Sequence, residues 1–168
     1  MIPKAIFFDM DGTLTPSRKK MSYKMAVALG KLSELCQVGI VTGSGMNYVT
    51  EQCEILSEVF AIDWNNIHLL PCNGTQWYRW KNKKFQCKHS VDLKSKIGSE
   101  KYKLLISEIC RGQARLLEGD LKNSEITGTF FQYRKSLLNW CPIGRDSGDD
   151  EREAFIILDN QLALRDKE

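Results

Sequence analysis

The sequence predicts an α/β fold, with a doubly wound parallel sheet in the first part and an α+β unit in the second. Short apolar runs at residues 5–8, 38–41 and 68–72 alternate with segments that have helical periodicity. Strands that alternate with helices in this way pair in parallel, because each helix returns the chain to the same end of the sheet. The pattern changes near residue 80, and we therefore predict two domains, at residues 1–80 and 81–168.

The elements of the first domain follow from local patterns. The wholly apolar run at residues 5–8 is typical of a parallel strand that is buried on both faces. Ser22 is the expected N-cap of the next helix, and the chain turns after the third strand at Asn73 and Gly74. Each of the two predicted helices has an apolar face. These faces are formed by Met25, Leu29, Leu32 and Leu35 in the first helix, and by Met46, Val49, Cys53 and Leu56 in the second.

The second domain has a different order of elements. A hairpin turns at residues 81–84, and a long amphipathic helix follows, with Tyr102, Leu105, Ile109 and Leu116 on its apolar face. The segments TGTFFQYR and LLNWCPIG, residues 127–134 and 137–144, are predicted strands joined by a tight turn. Acidic residues at 149–151 suit the first turn of a final helix, because carboxylates stabilise helix N-termini.

Composition and charge narrow the classes of function. The chain has 168 residues, 42% of them hydrophobic, so it can bury a core, and no apolar run is long enough to span a membrane. No leader peptide is predicted, and we expect a cytoplasmic protein whose six widely spaced cysteines are reduced. The net charge of +3 and the short basic clusters do not indicate a nucleic-acid surface, so the aromatic and basic residues at 75–88 are interpreted as a hairpin.

Paired carboxylates end the first predicted strand, in the stretch FFDMDGTLT at residues 7–15. Ligands of open α/β sheets bind at the carboxyl ends of the strands, where Asp9 falls. Gly12 lets the loop bend, so Asp9 and Asp11 can converge on one ligand, the first to attack and the second to carry a proton. A carboxylate in this position needs a cation or a hydrogen-bond donor, and magnesium is the expected partner. An Asx turn with ordinary Asp-Gly chemistry is the alternative.

The second strand ends in a small polar loop. Thr42, Gly43 and Ser44 form the predicted phosphate loop, in which the Thr42 hydroxyl holds a phosphoryl oxygen. A dinucleotide loop is the alternative for Gly43-x-Gly45, but Tyr48 stands where that motif has its third glycine.

The stretch DMDGTLT resembles the first motif of the haloacid dehalogenase superfamily of phosphotransferases. The resemblance implies that Asp9 is a phosphorylated nucleophile and that Asp11 is a general acid/base. The segment TGTFFQYRKSLLNWCPIGRDSGDDER, residues 127–152, is similar to the cap-domain signature of the eukaryotic-type phosphomannomutases, and TLTPSR matches that family's extension of the first motif. The chain is thus identified as a member of that family, with a partial haloacid dehalogenase-like (Rossmannoid) core and an α+β cap domain.

The resemblance also implies ligands and a reaction. It makes Arg18, Arg134, Arg145 and Arg152 the substrate-phosphate arginines, which agrees with the need for guanidinium forks on a movable lid. Asp9 and the Asp11 backbone carbonyl are the implied magnesium ligands. The implied reaction interconverts mannose 6-phosphate and mannose 1-phosphate through an aspartyl phosphate, with Mg²⁺ and a hexose 1,6-bisphosphate activator, and feeds GDP-mannose synthesis.

The sequence departs from the family after Arg152. The segment EAFIILDNQLALRDKE contains nothing that resembles the family's lysine beside the phosphoaspartate or its further magnesium-binding aspartates, and Lys167 is in the wrong context for that lysine. The chain therefore resembles a C-terminally truncated member, in which one edge of the strand that carries Asp9 is expected to be unpaired. A homodimer through the cap, or a second polypeptide that completes the core, is the expected partner. A sugar phosphatase and a non-catalytic remnant that binds hexose phosphate or a partner are the alternative functions.

Overall fold

Residues 3–164 are described in the computed structural model, and the chain forms two units, Met1–Val91 and Asp92–Glu168. Lys167 lies outside the described residues. The first unit has five strands and two α-helices: β1 Ala5–Asp9, α1 Tyr23–Ser33, β2 Gln37–Val41, α2 Met46–Gln52, β3 Ile67–Leu70, β4 Gln76–Lys81 and β5 Lys84–Ser90. Two 3₁₀ helices, Glu54–Glu58 and Trp64–Asn66, connect α2 to β3.

The five strands form one sheet in the order β1-β2-β3-β4-β5. β1, β2 and β3 are parallel, and the hairpin of β4 and β5 adds antiparallel strands, so the predicted α/β class is confirmed. The predicted boundary at residue 80 falls inside β4, whereas the units divide after Val91. The hairpin belongs to the first unit because β4 pairs with β3, with His68 opposite Arg79 and Leu69 opposite Tyr78.

The core of the first unit lies on one face of this sheet. Helix α1 begins at its predicted cap, where the Ser22 hydroxyl accepts a hydrogen bond from the Met25 amide at 3.2 Å. Its buried face packs with Val38 and Ile40 of β2 in one apolar cluster. Helix α2 ends at Gln52, before the last two apolar positions predicted for it, Cys53 and Leu56. Leu56 lies in the 3₁₀ helix that follows and is buried there.

β1 is exposed on its other face, so the prediction that it is buried on both faces is wrong. Phe8 pairs with Ile40 and packs against the core, whereas Phe7 points to the opposite face and is 64% exposed. The Phe7 ring lies over Gly39, where an added Cβ would be 2.4 Å from the ring. The reason is that β1 is an edge strand and that both α-helices pack on the side of Phe8. Within residues 3–164 these helices cover one face of the parallel strands, so the predicted doubly wound arrangement is not formed. Among the described residues, β1 pairs only with β2, so the expected unpaired edge of the strand that carries Asp9 is confirmed.

The second unit is α+β, as its sequence pattern predicts. Its elements are α3 Leu93–Ile97, α4 Ser99–Glu118, β6 Phe131–Tyr133, β7 Leu138–Trp140 and α5 Asp149–Leu162. Leu116, Leu121 and Ile143 belong to a small core against which Trp140 packs. The Trp140 indole donates to Gln113 Oε1 at 2.7 Å, so its polar atom is paired.

β6 and β7 are much shorter than the predicted strands at residues 127–134 and 137–144. Beyond the three-residue ladder the two segments remain hydrogen-bonded, from Thr127 N to Ile143 O at 2.9 Å and from Arg145 N to Thr129 O at 2.8 Å. Regular pairing stops because Pro142 has no amide hydrogen and Gly144 has a φ of +95°. Within residues 3–164, no helix is both long and apolar enough to cross a membrane.

Candidate active site

The carboxyl ends of the three parallel strands meet at one end of the sheet. Asp9, the last residue of β1, is in register with Val41, and Val41 is in register with Leu70. The loops that follow the three strands therefore start side by side, as the position of the predicted site requires. Asp9 itself is exposed, so its carboxylate can be reached by a ligand.

The loop after β1 is tightly folded around one backbone carbonyl. Met10 is fully buried, and its carbonyl oxygen accepts hydrogen bonds from the amides of Leu14 at 3.0 Å and Thr15 at 2.9 Å. Gly12 has a φ of +81°, and its amide donates to the Thr15 carbonyl at 2.7 Å. A residue with a side chain is strained at this φ, so the glycine permits the turn that follows Asp11.

The Asp11 carboxylate is held by two donors on the same oxygen. Asp11 Oδ1 accepts from the Arg18 backbone amide at 3.1 Å and from the Tyr48 hydroxyl at 2.9 Å. Arg18 reaches this position with a φ of +61°, and it contacts Asp11 through its backbone. The Asp11 side chain is thus fixed before any ligand is present.

Tyr48 is a site residue that the sequence did not reveal. In the sequence, its position argues only against a dinucleotide loop. Tyr48 is 37 residues from Asp11 in the chain, and no local pattern connects a helix position to a loop at that separation. A tyrosine in α2, close behind the predicted phosphate loop, was the available signal.

The predicted phosphate loop lies beside the turn that follows β3. Thr42 is buried, its amide donates to the Leu70 carbonyl at 3.3 Å, and its carbonyl accepts from the Asn73 amide at 2.8 Å. The Ser44 amide donates to Thr42 Oγ1 at 3.1 Å. Because this bond uses the hydroxyl as an acceptor, its hydrogen can be donated to another oxygen.

The turn after β3 lies close to the residue between Thr42 and Ser44. A Cβ on Gly43 would be 3.2 Å from Asn73 Oδ1, which is a tight contact. Asn73 has a φ of +56°, a conformation that asparagine tolerates better than most residues. The Asn73-Gly74 turn that the sequence predicts is therefore part of the same loop cluster.

Two of the other predicted phosphate arginines contact each other in the second unit. Arg152 Nε donates to the Ser147 carbonyl at 2.9 Å, and its Nη2 donates to the Arg145 carbonyl. Arg152 is in the first turns of α5, and Arg145 is in the loop that precedes this helix. Arg134 follows β6, and its Nε and Nη2 donate to Gln132 Oε1 at 2.9 and 2.8 Å.

The donor set near Asp9 suits a hard cation only in part. Within residues 3–164, no group of three or more His, Cys, Asp or Glu residues is arranged to hold a metal ion. Asp9 and Asp11 nevertheless supply carboxylate and carbonyl oxygens, and magnesium is usually held by one or two carboxylates with water and phosphate oxygens. These residues therefore fit magnesium that also binds a phosphorylated ligand.

The nearby buried thiol is not a nucleophile at neutral pH. Burial, with a smaller effect from the negative charge of Asp11, raises the pKa of Cys53 to about 12. The thiol donates to the Met10 sulfur at 3.9 Å and is part of the apolar core. The carboxylates of Asp9 and Asp11, and not this thiol, are therefore the candidate reactive groups of the site.

The chain is similar in sequence to eukaryotic phosphomannomutases. The family profile described as eukaryotic phosphomannomutase matches residues 25–168. Phosphomannomutase 1 of Homo sapiens is 34% identical over 160 residues, which are 95% of this chain and 56% of the human protein. The phosphomannomutase of Saccharomyces cerevisiae is 33% identical over 164 residues, 96% of this chain and 58% of the yeast protein. The chain thus spans less than 60% of the length of both relatives.

Among solved structures, the IMP-nucleotidase of Plasmodium falciparum is similar to the chain with a TM-score of 0.57. The likeness covers 97% of this chain and 48% of the other, at 15% sequence identity. At this identity the likeness concerns the fold alone. The family profile and the identity to the curated relatives carry the assignment: the chain belongs to the eukaryotic phosphomannomutase family.

Proposed function

We propose that the chain is a phosphomannomutase-type phosphotransferase that interconverts mannose 6-phosphate and mannose 1-phosphate. The observation that carries this proposal is the position of Asp9 and Asp11 in a chain of this family. Asp9 is exposed at the carboxyl end of β1, and Asp11 is fixed in the adjoining loop. One carboxylate is thus accessible for attack and the other is oriented for proton transfer, which are the two roles that the reaction needs.

In the proposed reaction, a carboxylate oxygen of Asp9 attacks a phosphorus atom of a hexose 1,6-bisphosphate. The bond between that phosphorus and the sugar oxygen breaks, and Asp11 gives its proton to the leaving oxygen. In the second step, a hydroxyl of the hexose monophosphate attacks the phosphoryl group on Asp9, and Asp11 takes the hydroxyl proton. The bisphosphate is regenerated, and the net change moves the phosphate between positions 1 and 6 of the sugar.

The loop at Thr42 is the proposed partner of the phosphoryl group. Its hydroxyl oxygen accepts a hydrogen bond from the Ser44 amide, so the hydroxyl hydrogen remains available for donation to a phosphoryl oxygen. The neighbouring Gly43 lies next to Asn73, and an added Cβ would be 3.2 Å from Asn73 Oδ1. Donors that are fixed before the reaction stabilise phosphoryl charge without reorganisation during the step.

Magnesium is the proposed metal, held by a carboxylate oxygen of Asp9 and by the Asp11 carbonyl. When bound, it would offset the negative charge of the phosphoryl oxygens. The hexose 1,6-bisphosphate is the proposed activator. Both assignments rest on family membership and on the oxygen donors at the end of β1.

The arginines are the proposed ligands of the second phosphate. The Arg152 guanidinium donates to the backbone carbonyl of Arg145, so the two residues are neighbours, and we propose that they bind the same phosphate. The Arg134 guanidinium donates to Gln132 Oε1, and the Arg18 amide donates to Asp11 in the loop after β1. Residues 81–168 are the proposed cap domain, and they carry three of these arginines.

Hydrolysis of sugar phosphates is a second candidate. The exposure of Asp9 favours it, because water that reaches the phosphorylated residue would release phosphate. Binding of hexose phosphate without turnover is the other alternative. These outcomes are separated by the experiment below.

The unpaired edge of β1 supports a partner in the proposed assembly. The strand presents unpaired backbone groups, and Phe7 is 64% exposed on the adjoining face. A second polypeptide that completes the core would cover both, and a homodimer through the cap is the other proposed assembly. A role in GDP-mannose synthesis in the cytoplasm follows from the proposed reaction and from family membership.

The proposal is tested by ³¹P NMR of the folded chain with magnesium, mannose 1-phosphate and a hexose 1,6-bisphosphate. The mutase predicts mannose 6-phosphate as the product, and Asp9→Asn should abolish it. Asp120→Asn is the matched control, because Asp120 is exposed in the turn after α4. Inorganic phosphate alone would indicate a phosphatase. No product from a folded sample, with saturable binding of mannose 1-phosphate, would refute turnover by this chain and leave a binding function.

A further inference from the structure

We infer that Tyr48 is a positioning residue for Asp11: its hydroxyl and the Arg18 amide clamp Oδ1, so that Oδ2 is the oxygen that exchanges a proton with the sugar hydroxyl. This inference rests on the proposed function and assigns a role to a residue outside the motifs that define it. The contact itself, from Tyr48 Oη to Asp11 Oδ1 at 2.9 Å, does not depend on the reaction.

Tyr48 lies on helix α2, which is packed firmly against the rest of the first unit. Tyr48 is half-buried and packs against the core cluster, and the next residue, Val49, is fully buried. The last residue of α2, Gln52, accepts a hydrogen bond from the Met21 amide at 2.9 Å through its carbonyl. The helix is therefore connected both to the core and to Met21, which lies between the loop after β1 and helix α1.

The second donor to Asp11 Oδ1 is a backbone amide. The Arg18 amide is 3.1 Å from Oδ1, and it approaches from the backbone of the loop rather than from a helix. Two donors from different elements restrict the rotation of the Asp11 side chain more than either donor alone. A hydrogen bond to an ionised acceptor is stronger than a neutral one, so its loss should be measurable.

The role of Tyr48 differs from that of a residue that binds substrate. Tyr48 contacts Asp11 and acts through it. Its removal should therefore leave unchanged the contacts with the phosphate groups of the substrate, which set the affinity. Removal of the hydroxyl should therefore lower kcat and leave KM nearly unchanged. A general loss of structure would instead change both constants, or lower the amount of folded protein.

The kinetic test compares Tyr48→Phe with Tyr23→Phe in the folded chain. Both substitutions keep the ring, and Tyr23 is 56% exposed at the start of α1, so it is a matched control. Tyr48→Phe should lower kcat for mannose 1-phosphate about tenfold, with KM changed by less than about twofold. Tyr23→Phe should leave both constants unchanged. An unchanged kcat in Tyr48→Phe overturns the inference, and so does an equal rise of KM.

The spectroscopic test does not need turnover. The tyrosines are labelled with ¹³C at Cζ, and the Tyr48 resonance is assigned by its absence from Tyr48→Phe. Asp11→Asn should shift the Tyr48 resonance, whereas the Tyr23 resonance should not move. An unshifted Tyr48 resonance overturns the inference at any level of activity. A shift in a protein that produces no mannose 6-phosphate supports the clamp and refutes the proposed reaction.

Discussion

Gly144→Ala should destabilise the second unit by an amount that the structure lets us work out. Gly144 has a φ of +95°, in the region that favours glycine. A Cβ at this position would be 2.0 Å from the Thr127 carbonyl oxygen and 2.1 Å from Thr127 Oγ1. The left-handed conformation costs about 1–2 kcal/mol for a residue with a side chain, and overpacking costs about 1–3 kcal/mol. The two together lower the free energy of unfolding by about 2–5 kcal/mol.

The control is Gly128→Ala, one residue beyond Thr127. An added Cβ at Gly128 meets no atom within 4 Å, so the substitution should change the free energy of unfolding by less than about 0.5 kcal/mol. For a chain of this length each kcal/mol shifts Tm by about 2–4 °C. Gly144→Ala should therefore lower Tm by at least about 4 °C, and Gly128→Ala by at most about 2 °C.

Circular dichroism melts measure the Tm of both variants, and hydrogen exchange with mass spectrometry locates the change. Exchange in Gly144→Ala should rise in the peptides around residues 127–147 and stay unchanged in the sheet of the first unit. Because Gly144 precedes Arg145, whose carbonyl accepts from Arg152, this variant should also weaken phosphate binding. Equal melting temperatures for Gly144→Ala and Gly128→Ala would refute the reasoning.

Two further predictions concern titratable groups of the first unit. Burial, with a smaller effect of Arg79, lowers the pKa of His68 from its usual value of 6.5, so its contribution to stability is complete above that pH and is lost as the pH falls through the lower pKa. Urea melts at several pH values should show a smaller loss of stability on acidification in His68→Gln, and an identical pH dependence would contradict this. Native alkylation near pH 8 should modify the exposed Cys87 and Cys110 and spare Cys53, whose pKa is raised to about 12. Peptide mass spectrometry would show equal modification of Cys53 if the reasoning were wrong.

The order of strands and helices could be predicted because each element has a local pattern. Ser22 caps α1 as expected, since a hydroxyl before an apolar helical repeat is a local signal. The exposure of Phe7 could not be predicted in the same way. An apolar run such as AIFF has no alternation, so it does not reveal whether one face or both faces are covered.

The contacts that complete the site depend on tertiary structure. Tyr48 meets Asp11 only because β1 and β2 are parallel neighbours, which brings the loop after β1 close to the helix after β2. The domain boundary also depends on tertiary structure and could not be predicted from local patterns. The hairpin sequence predicts β4 and β5, but the pairing of His68 with Arg79 decides which unit the hairpin joins.

The most direct test of the central proposal is whether Asp9 carries a phosphoryl group. The folded chain is incubated with magnesium and ³²P-labelled hexose 1,6-bisphosphate, quenched in acid, digested and mapped. The proposal predicts a label that hydroxylamine releases, in the peptide that contains Asp9, and no label in Asp9→Asn. Label on another residue, or equal label in the wild-type chain and Asp9→Asn, would contradict the assignment of Asp9 as the nucleophile.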